Sequence, residues 1–445
     1  MSQTASTSAA ADAESEVAER TIRKLTWRIV PIVALMYLLA YLDRVNLGFA
    51  ALTMNADLAL TATAYGMAAG VLTLTYVLCE VPSNIMLAKY GARVWLARIM
   101  ISWGIVCAAM SLAQGPISLG ALRLALGAAE AGLTPGVLFY LSLWFPVRYR
   151  TRIMSGFFIA VPTSYIIGAP LSTALLSLDW LGLRGWQWMF IIEGAVTVAV
   201  GFYVLRNLLD KPEDAKWLKP DERAWLLGTL KNEFEARGGH KVSSLRAGLT
   251  NPLVWMLGLT YFGQLAANST FGFWLPLMIK NAGIALGGFT NFQTGLLTTV
   301  PYIAAVFGLV FWAKHSAKHQ ELTWHYALPP LVGAVAFSSA TLVDNPVALA
   351  FLVSLTVFCV AIVPPIFWTM ATKSFNGPAA AASTALINCI ASLGSFTGPQ
   401  LMGVLRDQSD SFEPGMLMVG GFLLITSFMG WRMGRRVERG SILTS

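Results

Sequence analysis

Apolar stretches of about 20 residues recur along the whole chain, over 29–50, 64–88, 94–113, 117–144, 153–177, 186–206, 253–279, 291–313, 326–343, 346–372, 380–405 and 415–434. Each is long enough to cross the ~30 Å hydrocarbon core of a bilayer as a helix. Barrel strands would be about ten residues long and alternating in polarity, which these are not. Only 12% of the 445 residues are charged, against about 25% in soluble domains. This excludes a disordered chain and an ordinary soluble enzyme. The sequence therefore predicts an all-α membrane protein with twelve transmembrane helices.

The basic residues set an orientation. With the N-terminus inside, 26 of the 31 Lys and Arg fall on the inside segments or at the inside ends of spans (Arg98, Arg206 and Arg432), and only Arg184, Lys280 and Arg406 on the outside loops. Basic residues stay on the cytoplasmic side, so both termini are expected there, in the inner (plasma) membrane. The net charge of +8 is then a topology signal and implies no nucleic acid. Residues 1–27 are a polar tail without the pattern of a cleavable leader, 28–206 hold six spans, 207–252 form a charged linker, 253–434 hold six more, and 435–445 are a second tail. In the linker, "KPEDAKWLKPDERAWL" suggests a short interfacial helix followed by a break at Gly238-Gly239. The halves echo each other weakly, with Gly168-Ala169-Pro170 in span 5 and Gly398-Pro399 in span 11. Paired six-span halves are a transporter signature.

Charges inside spans are costly, at least ~2.5–3.5 kcal/mol each, and mark function by default. Asp43, Arg44, Glu80, Arg123, Glu130 and Glu193 are such residues. Arg123 and Glu130 stand two helical turns apart and share a face. At ~1.5 Å per residue, Asp43 and Arg123 lie at one level and are expected to pair, with Glu130 deeper and Arg44 turned toward a cavity. Two acids offset two bases, so protonating either acid leaves a positive cavity that attracts an anion. Binding of that anion then changes the acids' proton affinity, which is the logic of proton–anion symport. The bland alternative is a self-compensating brace between spans 1 and 4. Glu80, ahead of Pro82, reads as a packing or gating residue, and Glu193 as an acid bonded to nearby backbone.

The second half offers polar and aromatic groups instead: Tyr261, Gln264, Asn268, Trp274, Gln293, Trp368 and Asn388. Asn388 is the best of these, because an amide in mid-helix needs a partner. His315 and His319 have a metal-ligand spacing but no third ligand, and lie beside Lys314 and Lys318 in a basic loop. Cys79, Cys107, Cys359 and Cys389 read as small packing residues,. A G-x-x-x-x-G-K-[ST] phosphate loop is absent,. No metal and no cofactor are implied beyond the proton as coupling ion. The partners expected are a small organic anion and the bilayer, with no obligate protein partner.

The stretches "YLDRVNLGFA", "EVPSN", "RLALGAAEAGLTPG", "GWQWMFIIEG", "FGFWLP" and "ALINCIASLG" together resemble the major facilitator superfamily, specifically its anion:cation symporters of the tartrate, phthalate and hydroxyphenylacetate permease branch. The resemblance implies two six-helix pseudo-repeat bundles, alternating access and proton-driven uptake of organic anions. It also implies roles: Asp43 and Glu130 as protonatable acids, Arg44 as the substrate-carboxylate arginine, Arg123 as the arginine paired with those acids, and Tyr76, Trp368 and Asn388 as substrate contacts. One segment departs from it. The superfamily's G-x-L-x-D-R-x-G-R motif reads "NIMLAKYGAR" here, with Ala88 in the place of the acid, so the charge lock there is expected to be weaker or rebuilt.

The expected function is proton-coupled symport of an aromatic or hydroxylated carboxylate, not enzymatic catalysis. Arg44 would hold the anion, with Tyr76, Gln264, Trp368 and Asn388 around it, while Asp43, Glu130 and Arg123 couple the proton. A drug or metabolite efflux antiporter and a non-transporting sensor on the same scaffold are the alternatives.

Overall fold

The computed structural model describes residues 2–236, 251–375 and 379–439. The expected Gly238-Gly239 break lies outside the described residues. Fifteen α-helices build the described chain: α1 (Ser2–Asp57), α2 (Ala62–Tyr90), α3 (Ala92–Ala109), α4 (Pro116–Glu130), α5 (Leu133–Trp144), α6 (Val147–Leu175), α7 (Gly185–Asn207), α8 (Pro220–Ala236), α9 (Pro252–Ala282), α10 (Asn291–His319), α11 (Thr323–Ser339), α12 (Pro346–Ala361), α13 (Pro364–Lys373), α14 (Ala379–Ser409) and α15 (Glu413–Glu438). They account for twelve spans. Two spans are broken, one into α4 and α5 and the other into α12 and α13. Eight of the spans are long and apolar enough to cross a membrane on length and composition alone. α1 carries the polar tail as helix, and α8 runs through the connecting segment.

The helix starts follow local chemistry. Pro stands at the first helical positions of α4, α9, α12 and α13, where its missing N–H costs nothing. Thr61, Asn251 and Asn345 accept hydrogen bonds from the first free N–H groups of α2, α9 and α12,. The break between α4 and α5 falls at Gly132, with φ +89°. A Cβ there would lie 2.4 Å from the Ser83 hydroxyl, so Gly suits both the backbone and the packing. Glu130 is thereby the last residue of a half-helix. The break between α12 and α13 precedes Pro364-Pro365, which cannot continue the helix ladder.

In a bilayer, lipid tails are as apolar as leucine, so close packing of small residues and inter-helix hydrogen bonds hold spans together. Across the two halves, α2 packs along α14, α6 along α10 and α1 against α9. Close contacts gather at the face opposite the termini, the far face. A Cβ on Gly66 would stand 2.5 Å from the Pro399 carbonyl, so α2 and α14 touch backbone to backbone. The Tyr65 hydroxyl donates to the Phe273 carbonyl at 2.7 Å. The rings of Tyr165 and Tyr302 stack with centroids 3.9 Å apart. At the face that carries the termini, the basic face, Arg20 and Lys24 pair with Glu222, Arg93 with Asp210 and Arg150 with Glu233. Those pairs all stay on the first half and the segment that follows it. Asp210 answers the missing acid at Ala88: it accepts from the Arg93 N–H at 2.8 Å and lies against Gly91, where a Cβ would meet its carboxylate at 2.8 Å.

At the far face Asp407 closes the seam between the halves. Its carboxylate accepts from the N–H groups of Ala62 at 2.9 Å and Thr63 at 2.7 Å, the exposed first turn of α2. Burial acts to raise this carboxyl, but the hydrogen bonds from Thr63, Ala62 and Thr61 outweigh it and the net direction is downward. A carboxylate lowered when docked favours the docked state fully above its ordinary value of ~3.9 and loses that contribution as pH falls through the docked value. The expected result for Asp407→Asn is a loosened seam at neutral pH. Alkylation from the far side of a cysteine placed at Thr63, with the four native cysteines removed, should speed up several-fold.

Candidate functional site

Arg44 lies about midway along the membrane part of α1, with its side chain 30% exposed. Its Nε donates to Glu130 Oε1 at 2.8 Å and its Nη2 lies 2.6 Å from the same oxygen. The rings of Tyr41 and Tyr76 stand 5.3 and 5.1 Å from the guanidinium carbon, within cation–π range. Glu130 itself is 2% exposed. The base is therefore partly exposed and its acid is not. Tyr41, three residues before Arg44, was not singled out from sequence, although that spacing puts it on the same helix face.

Arg123 is placed differently from the sequence expectation. It is fully buried and donates to the carbonyls of Ala68 at 3.1 Å and Ala69 at 3.3 Å on α2. Its guanidinium also stands 5.7 Å from the Phe273 ring. Nη1 has no hydrogen-bond partner. The expected Asp43–Arg123 pair is thus corrected: Arg44 holds Glu130, and Arg123 faces helix carbonyls. Level-counting along straight helices carries neither helix rotation nor tilt, and these decide which base meets which acid.

Asp43 turns away from Arg44 into a polar cluster between α1, α3 and α7. Its Oδ2 accepts from the Thr197 hydroxyl at 3.3 Å, and Asn46 Nδ2 and Cys107 Sγ stand 3.4 and 3.7 Å from Oδ1. Glu193 belongs to the same cluster through Asn46 and Ser172, and not to nearby backbone as the sequence suggested. Asn46, three residues after Asp43, gave the available signal. Cys107 is more than packing, since its thiol reaches a carboxylate.

The second half carries the remaining candidate residues. Asn388 is half-buried and its side chain makes no hydrogen bond among the described residues. Trp368, also half-buried, stands edge-on to Tyr261 at 5.5 Å, and Tyr261 stacks on Phe367 at 4.1 Å. Gln264 is 1% exposed and spends its amide N–H on the Val360 carbonyl at 2.5 Å, just before the break in span 10. Its Oε1 is left without a partner. Glu80 is half-buried, and its charge acts with that of Arg44 and on Cys389 of α14. That places it at the seam where α2 meets α14. His315 Nδ1 lies 2.7 Å from His325 Nε2, and His325 in turn bonds to Glu321. These rings satisfy one another in a hydrogen-bonded chain. A separate cavity of about 510 Å³ at the far face, lined by Phe289, Arg406, Asp410, Phe412 and Glu413, includes none of the central residues above.

The arrangement presents one partly exposed guanidinium held by a buried acid, a pairing for which an anion would compete. The family model of the Major Facilitator Superfamily matches residues 33–399. The chain belongs to that superfamily. It is a multi-pass membrane transporter, not an enzyme, with a small molecule as its cargo. A protein of Agrobacterium vitis named as a tartrate transporter is 45% identical over 417 residues, covering 93% of this chain and 95% of the relative. A quinolone resistance transporter of Acinetobacter baumannii is 34% identical over 420 residues, covering 94% of this chain and 96% of that relative. The xylose transporter XylE from E. coli, solved in an inward open conformation, superposes with a TM-score of 0.74 at 14% identity, covering 94% of this chain and 99% of that one. At that identity the likeness is one of fold: two six-helix bundles of the major facilitator type.

Proposed function

We propose that the protein is a proton-coupled symporter of an organic anion, a hydroxylated dicarboxylate of the tartrate kind. The observation that carries this reading is the Arg44–Glu130 pair. While Glu130 is ionised it occupies the Nε/Nη2 edge of the guanidinium and cancels the charge that a substrate carboxylate needs. A proton on Glu130 removes the competing charge and releases the guanidinium fork, which matches a carboxylate. Proton and anion then load together, and neither loads well alone. Asp43 supplies a second proton-holding group, Arg123 keeps a positive field over the far end of the cavity, and Asn388, Trp368, Gln264 and Tyr76 shape the remaining wall. In orientation, the basic face is cytoplasmic, the membrane is the inner (plasma) membrane, and the described conformation, shut at the far face, faces inward.

The test is uptake of labelled L-tartrate by liposomes holding the purified protein. The expected result is accumulation driven by an inward proton gradient and collapsed by a protonophore. Uptake unaffected by the gradient would overturn the coupling. The relative named for quinolone resistance favours a second reading, export of a drug-like anion on the same site. Raised quinolone resistance in a host stripped of its own pumps, with no tartrate uptake in liposomes, would support that reading instead.

A further inference from the structure

Glu193 has no part in the reading above, yet it is 3% exposed inside the membrane and fully engaged. Its Oε1 accepts from the Ser172 hydroxyl at 2.8 Å and its Oε2 from Asn46 Nδ2 at 2.9 Å. The same nitrogen stands 3.4 Å from Asp43 Oδ1. One amide therefore bridges two buried carboxyls. The groups facing this pair are Asn46 from α1, Cys107 and the Trp103 indole from α3, Ser172 from α6 and Thr197 from α7. Among the described residues no lysine, arginine or histidine forms an ion pair with either carboxyl; the further charge acting on Asp43 is Glu130, already held by Arg44.

Two anions in one low-dielectric site without a cation repel each other and each carries a desolvation cost of several kcal/mol. A second observation agrees. Asn46 Oδ1 is buried with no hydrogen-bond partner, and the Asn46 side chain sits in a residue only 1% exposed. A buried carbonyl of that kind lacks a donor. The amide N–H serves one ionised carboxyl, and a proton on the other removes the second charge. We propose that Asp43 and Glu193 hold a single proton between them, bridged by Asn46, so that Glu193 is a positioning residue that sets where the proton of Asp43 resides. The pair carries one negative charge, with the proton covalently on one carboxyl and Asn46 donating to the other.

The functional consequence rests on Asp43 being a coupling group, but the shared proton is measured without any substrate. Infrared spectra of the full chain in liposomes at neutral pH report the carbonyl stretch of protonated carboxyls. The expected result is a band in the wild type that is lost in both Asp43→Asn and Glu193→Gln, because one negative charge is tolerated by the donors present and two are not, and that survives in Glu130→Gln. Absence of the band in the wild type would overturn the proposal. So would its loss in only one of the two variants. Asn46→Ala keeps both acids and guards against a Glu193 variant that does not fold. Without the amide donor both carboxyls should take up protons, raising the band about twofold, and an unchanged band contradicts the bridge. If the band behaves as expected while tartrate uptake by Glu193→Gln keeps the wild-type pH profile, the shared proton stands and Asp43 is removed from the coupling scheme.

Discussion

Glu130→Gln should abolish gradient-driven accumulation of tartrate while leaving tartrate exchange in place. The amide keeps the shape of the side chain but carries no charge, so Arg44 is permanently free for an anion. Exchange across liposomes loaded with unlabelled tartrate should stay within about threefold of wild type, whereas accumulation should fall by roughly 10–100-fold, the range of a typical coupling free energy. Arg44→Ala should differ in kind. It removes the anion's partner and leaves Glu130 buried without its cation. Losing one member of a buried ion pair costs ~3–5 kcal/mol, so both exchange and accumulation should drop by at least about 100-fold. If Arg44→Ala transports while Glu130→Gln does not, the assignment of the guanidinium to the anion is wrong.

Gly127→Val should have the second large effect, through geometry alone. Gly127 lies one turn before Glu130 on α4 and meets α2. A Cβ there would stand 2.1 Å from the Leu72 carbonyl and 2.4 Å from the Thr75 hydroxyl. The threonine can rotate but the backbone carbonyl cannot, so α4 must move off α2. Overpacking of this sort costs ~1–3 kcal/mol. The displacement also takes Glu130 away from Arg44 and disturbs Tyr76, on the same stretch of α2. The expected outcome is a lower melting temperature together with transport lost by about tenfold or more. Gly120→Val is the control: it lies on the same helix with open space around its would-be Cβ, and should leave both nearly unchanged. Equal effects at the two positions would show that helix propensity and not the α2–α4 contact is at work.

The membrane spans were legible because each is an apolar run of spanning length, and lipid selects such runs directly. The break inside span 4 was not, because Ala131 and Gly132 are as compatible with a bilayer as the helix around them; the break inside span 10 is marked by Pro364-Pro365, a signal that hydropathy does not weigh. Hydropathy has no term for a left-handed Gly132. The charged residues of the site were legible from their cost in lipid, but their partners were not. Partnering depends on helix rotation and tilt, which residue counting along straight axes does not carry. Hence Arg44 rather than Arg123 holds Glu130, and Arg123 donates to the Ala68 and Ala69 carbonyls. Glu193 and Asn46 lay in plain view as polar residues in apolar runs, yet their meeting joins residues 147 apart in the chain. The acid at Asp210 that answers Ala88 comes from 117 residues beyond Arg93, again a contact that only the packed bundle creates.

The central claim is that a proton on Glu130 releases Arg44 to the anion. It is tested most directly by the number of protons taken up when tartrate binds, measured by titration calorimetry of the purified protein in neutral buffers of different ionisation enthalpy. Binding to the wild type should draw in protons, and binding to Glu130→Gln should draw in one fewer. The same proton count in both proteins would contradict the account.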